Sequence, residues 1–324
     1  MGPTRSPVVG CADVTPLDFL AAAPFPLAGE LCAALSALLW ASAGVVFARI
    51  TPPISATAIN LGKNVTASAC FVLLCLLTTG VPIPFGMPSG PLLWFTVSGV
   101  LGLAVCDTFL LRSLLEIGPQ RMSLIFTVYP VLVALGALLP PFREHPGLLA
   151  WLGMGICLGG IVLAVLEKPV GRGRPTHHAR GVRDALIAAT CQAGAILTAR
   201  HGLRIADVPA QDGATVRMLA GTIGVAVVGL PALRIVTWGR ELTRGSAGRW
   251  VALAAFFGTF LGIWTNQLGL DWATHTGVAT VLNSLMPVYL IPMSYLFLGA
   301  RISRRGTVAT LVTLLGVALI TLGA

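Results

Sequence analysis

Three ionisable residues stand inside long apolar runs, where charge is costly. Asp107 lies in Leu103-Ala104-Val105-Cys106-Asp107-Thr108-Phe109, Lys63 in Asn60-Leu61-Gly62-Lys63-Asn64, and Arg217 in Ala214-Thr215-Val216-Arg217-Met218. A charge at the centre of a bilayer-crossing helix costs about 2.5–3.5 kcal/mol on insertion scales, so such residues usually face a bundle interior or water. A carboxyl group placed there can take and release a proton, which suits Asp107 to coupling; the competing role is an aspartate held by a fixed basic partner. Lys63 and Arg217 sit early in their runs, at equivalent places in the two halves of the chain. Each can line a path and attract an anionic or carboxylate solute, or simply snorkel to the headgroups.

Uncharged polar groups join them. Asn64 adjoins Lys63, and Gln192, Asn266, Gln267 and Asn283 are amides within apolar runs, able to bind a solute or to bridge helices. Trp40, Tyr129, Trp264 and Tyr289 offer broad faces and polar tips to an amphipathic solute, with packing or interfacial anchoring as the alternative. Pro130 and Pro287 remove helix hydrogen bonds, so they kink or break their segments and free carbonyls to line a cavity.

The elements that must position these residues are helices. Apolar runs fall at about 31–49, 57–79, 92–113, 122–141, 147–166, 184–200, 213–237, 249–270, 276–299 and 306–323. A crossing takes about 20 apolar residues, so ten spans are expected; the sixth run is the weakest, interrupted by Thr190 and Gln192. The 324 residues are 56% hydrophobic and 10% charged, against about 25% charged in a soluble domain. That composition excludes a soluble enzyme, a disordered chain and a disulfide-stapled scaffold. Short alternating strands are absent, which argues against a barrel.

The net charge of +9 is confined to loops and reads as membrane orientation, not nucleic-acid binding. Of seven cysteines, Cys32, Cys70, Cys75, Cys106, Cys157 and Cys191 lie in apolar runs without a CxxC pair, so no disulfide, metal or cofactor site is expected. His177-His178 reads as a solvated loop pair. Gly10-Cys11, the N-terminal Met1-Gly2 and the sequon Asn64-Val65-Thr66 resemble modification signals without the context each requires. No HExxH, GxSxG or paired intramembrane carboxylate suggests an enzyme, and no phosphate loop makes ATP the direct energy source.

The stretch from Glu167 to Asp184, with Lys168, Arg172, Arg174, Arg180 and Arg183, divides the chain near its middle. A 157-residue shift places Pro130 on Pro287, Val131 on Val288, Leu158 on Leu315, Gly159 on Gly316, Thr108 on Thr265 and Leu111 on Leu268. Ser123-Leu124-Ile125 then faces Thr280-Val281-Leu282, and Ala48-Arg49 matches Ala199-Arg200 at a shift of 151. Five spans per repeat force the halves to face opposite ways, which is the inverted-repeat plan of many secondary transporters, with a midplane site between the halves. The expected organisation is a tail (1–29), a first repeat (30–166), a basic linker (167–183) and a second repeat (184–324).

Each half resembles the EamA-type module of the drug/metabolite transporter superfamily. The opening helix matches at Ala37-Leu38-Leu39-Trp40-Ala41-Ser42. The proline-broken, small-residue helix matches at Ser123-Leu124-Ile125-Phe126-Thr127-Val128-Tyr129-Pro130 and at Ala279-Thr280-Val281-Leu282-Asn283-Ser284-Leu285-Met286-Pro287. Phe142-Arg143-Glu144 and Leu158-Gly159-Gly160, then Leu298-Gly299 and Leu315-Gly316, fit the closing turn and glycine-rich helix, although Ala300-Arg301 stand where the second turn would carry glutamate. The resemblance implies a ten-helix carrier in the cell membrane that alternates access and exports amino acids, metabolites or drug-like solutes, with protons as the candidate coupling ion. The rivals are a lipid flippase and a non-transporting scaffold.

Orientation is contested. A first helix starting inside would leave four Lys/Arg in cytoplasmic segments (Arg5, Arg143, Arg200, Arg204) and fifteen on the other side. The positive-inside rule therefore places both termini outside, whereas the resemblance implies both inside.

Overall fold

The computed structural model describes residues 27–50, 54–84, 86–140, 147–165, 178–205, 208–272, 282–299 and 304–322. The N-terminal tail, most of the basic linker with His177, the turn at Phe142-Arg143-Glu144, Ala279 to Val281 and Ala300-Arg301 lie outside them. The described residues are helices joined by short turns, with no strand among them.

The first half contains α1 (Ala28–Ile50), α2 (Ala56–Thr79), α3 (Ser89–Ile117), α4 (Pro119–Ala137) and α5 (Leu148–Val165). The second contains α6 (His178–Arg204), α7 (Ala210–Gly229), the short amphipathic α8 (Arg234–Thr243), α9 (247–272), α10 (Met286–Leu298) and α11 (Arg304–Leu322). Six helices, α1 to α4, α9 and α11, are long and apolar enough to cross a membrane, and α7 with α8 forms a sharply bent candidate. The described parts of α5 and α10 are apolar but shorter. Helix α6 has the length, yet it carries Arg180, Arg183, Asp184 and Gln192, which dilute its apolar character.

Local chemistry sets several boundaries. Ser55 caps α2, its hydroxyl accepting from the Ala58 N–H at 3.3 Å, and Gly80 closes the helix at φ 71°. Gly118, at φ 82°, separates α3 from α4, and Pro119 follows in the first turn, where its missing N–H is harmless. Helix α4 breaks at Thr127-Val128, so Pro130 stands in the first turn of its second part; Pro287 occupies the same place in α10. Both α3 and α9 pass through a π-helical segment, Val100–Cys106 and Ala255–Leu261 respectively.

The halves interlock in a mirrored pattern. Helix α1 packs on α9 and α10 of the second half, while α6 packs on α3 and α4 of the first. Helix α2 lies on the π segment of α9, and α7 on that of α3. The equivalent helices α2 and α7 cross directly: Ser68 and Thr222 share a hydroxyl hydrogen bond of 2.8 Å, Cys75 meets Thr215 at 3.2 Å, and Gln211 donates to Thr78 at 3.0 Å. Rising numbers on α2 meet falling numbers on α7, so the two helices run antiparallel, as inverted repeats require. Small residues allow these close approaches. A Cβ on Gly316 would lie 2.6 Å from Cys157 Cα, and one on Gly160 would lie 2.7 Å from Thr313 N, which seats α5 against α11 backbone to backbone.

Candidate functional site

The face of α2 bearing Asn60, Lys63 and Asn64 turns toward the π segment of α3. Changing from i→i+4 to i→i+5 bonding disturbs the carbonyl ladder and leaves backbone oxygens in need of donors. Asn60 and Asn64 supply them: the amide of each donates to Leu103 O at 3.0 Å, and Asn60 also reaches Ala104 O at 3.2 Å and Thr108 Oγ1 at 3.0 Å. Both asparagines are fully buried.

Between them, Lys63 Nζ donates to Asp107 Oδ2 at 2.6 Å and to Asn64 Oδ1 at 2.9 Å. The two charged side chains are only 7% and 18% exposed, so this pair is shielded from water. A charge-assisted bond this short is stronger than a neutral one, and removing one partner would strand the other.

The second half closes the site. Cys106 Sγ lies 3.7 Å from Gln192 Oε1 on α6. Arg217 arrives on α7, whose backbone rests on Gly99 so closely that a Cβ there would come within 2.8 Å of Arg217 Cα. Its guanidinium reaches toward Gly102, where a Cβ would sit 3.8 Å from Nη2 and 3.7 Å from Gln192 Oε1. Arg217 senses the charge of Asp107, yet its Nε is buried without a hydrogen bond. Among the described residues, no ion pair holds the guanidinium. Lys63, Asn64, Asp107, Gln192 and Arg217 thus come together from four helices.

The other residues singled out by sequence fall elsewhere. Asn283 accepts from Ser36 Oγ at 2.5 Å, joining α1 to the residues just before α10. Tyr129 is hydrogen-bonded to Ser284. Trp40 covers Gly262, and Tyr289 packs beside Leu290 and Val45. Trp264 stacks on Phe260 with ring centroids 5.9 Å apart, next to Phe71 and Leu103. Asn266 and Gln267 are half-buried on the same helix.

Sequence reasoning missed Asn60, Cys106 and Ser36. The spacing 60, 63, 64 places Asn60 on the face of Lys63 and was a usable signal. The π segment and the hydroxyl of Ser36 gave none.

Comparison with known proteins follows the same division into halves. The profile of the EamA-like transporter family matches residues 27–166 and again 180–322. No curated protein matches. Among solved structures, a crystal structure 19% identical in sequence superposes with a TM-score of 0.62, covering 92% of this chain and 98% of its own. At that identity the likeness shows the fold alone.

Proposed function

We propose, from the premise that this chain belongs to the EamA-like transporter family, that it is a secondary active carrier of ten spans, exporting a small metabolite, amino acid or drug-like solute by alternating access. The observation that carries this reading is the Lys63–Asp107 pair, 2.6 Å long and shielded, which ties α2 to α3 little more than a turn from Ser68, where α2 meets its antiparallel equivalent α7. Charged groups kept in a membrane interior without a role would be a standing cost. At the interface of inverted repeats, such groups are reachable in turn from each side.

Asp107 is the coupling acid in this reading. A proton arriving at Oδ2 neutralises the carboxylate and releases Lys63 Nζ, which keeps its bond to Asn64 and becomes free to meet the solute. Around the carboxylate stand Lys63, bonded to it from α2, Cys106 beside it in its own helix with Gln192 of α6 against that thiol, and Arg217 from α7. Trp40, Tyr129, Trp264, Asn266, Gln267, Asn283 and Tyr289 continue the path on the side of the second repeat. The protein lies in the cell membrane with its arginine-rich ends, including Arg183, Arg234 and Arg304, in the cytoplasm, so both termini are outside. A reporter fused to the C-terminus that is active only in the cytoplasm would overturn that orientation by lighting up.

The test of function is uptake of a labelled amino-acid and metabolite pool by proteoliposomes, with and without a pH gradient. Gradient-driven flux in the native protein, lost in Asp107→Asn while exchange persists, supports proton coupling through Asp107. Flux indifferent to gradient and substitution removes the coupling role. No flux at all removes the carrier reading, and a lipid-scrambling assay then separates flippase from scaffold.

A further inference from the structure

The polar crossing holds two cations and one anion. Lys63 spends its charge on Asp107, whereas the Arg217 guanidinium is engaged by no ion pair or hydrogen bond among the described residues, and its Nε is buried. The site therefore carries one uncompensated positive charge in a low-dielectric interior, where an unpaired ion is unstable. Arg217 itself is only half-buried, which leaves a gap on its open side; Nη2 and Gln192 Oε1 both border Gly102, where Ala195 Cβ, 3.0 Å from the place of a Cβ, closes the remaining side.

We propose that this gap takes the carboxylate of a small monoanionic solute, bound by the planar fork of Arg217. The inference rests on the carrier reading and names the substrate class for it. A guanidinium offers parallel N–H donors that match two carboxylate oxygens. Charge selects among anions: one negative charge brings the loaded site to neutrality, while a phosphate dianion would leave it negative. Asp107 does not fill this role, because its Oδ2 is held by Lys63. Gln192 Oε1, already facing Cys106, offers an acceptor to a donor group on the same solute.

The experiment uses the native protein in phosphatidylcholine nanodiscs and follows thermal unfolding. The probes are lactate, benzoate and N-acetylphenylalanine, each against its own primary amide, with inorganic phosphate as a further arm. At least one carboxylate is expected to raise the melting temperature by about 2–4 °C near saturation, with its amide inert. Arg217→Gln abolishes that shift, Arg217→Lys keeps part of it, and Arg304→Gln, an exposed arginine at the start of α11, leaves it intact. If Arg217→Gln does not fold, Arg217→Lys carries the test by a weakened shift. Equal stabilisation by amides, stabilisation by phosphate alone, or none by any carboxylate overturns the proposal. Gradient-driven flux of neutral solutes alone would defeat the substrate class and leave the carrier standing, whereas carboxylate binding without flux would do the reverse.

Discussion

The two repeats share a backbone plan and differ in charge. A shift of 154 residues carries Ser68 onto Thr222, which touch, and Lys63 onto Arg217. The same shift carries Asn60 onto Ala214 and Asn64 onto Met218, so the polar face of α2 becomes an apolar face with one arginine in α7. The position of Asp107 maps onto Trp264 at the 157-residue shift, and that tryptophan stacks on Phe260 inside its own π-containing helix. The first repeat therefore satisfies its cation internally, and the second leaves its cation open. Under the proposed carrier function, symmetry of backbone would serve two access states, and asymmetry of charge would give one site a defined ligand side.

The comparison can be broken at three levels. The backbone symmetry predicts that leucine at either Gly160 or Gly316, one from each repeat, is equally ruinous. Each would drive a side chain into the backbone of the facing helix, and both proteins should lose their monodisperse peak on size exclusion; a benign variant of either would refute the shared close packing. The charge asymmetry predicts an unequal pair at the next level. Asp107→Asn strands a buried lysine and should destabilise by about 3–5 kcal/mol, and Lys63→Met alongside it should restore much of the loss. Arg217→Gln strands no partner and should cost little in the same unfolding assay. The smallest effect belongs to the crossing itself. Ser68→Ala and Thr222→Ala should each cost about 0.6 kcal/mol, the average for interhelical polar bonds in membranes, and the double variant no more than either alone.

Much of this architecture was legible in sequence, for identifiable reasons. Hydrophobic runs bounded by prolines and glycines located the helices, because a bilayer permits few alternatives to an apolar helix. Asp107, Lys63 and Arg217 stood out because charge in such runs needs a partner, and the structure supplies one for Lys63. What could not be read was which cation Asp107 would choose. That choice depends on the π segment of α3, whose displaced carbonyls draw Asn60 and Asn64 inward and carry Lys63 between them. No periodicity announces a π turn. The pairing of Asn283 with Ser36 was equally hidden, because it joins residues 247 positions apart through a serine like many others.

The most direct measurement asks whether this crossing opens to both sides of the membrane. In a background with the native cysteines replaced, Arg217→Cys would be reconstituted in liposomes of known orientation and exposed to a membrane-impermeant thiol reagent from one side at a time. Alternating access through the polar crossing predicts modification from either side, with the first reagent blocking the second. Modification from one side only, or from neither, would contradict it and leave the Lys63–Asp107 pair a structural tie within a closed bundle.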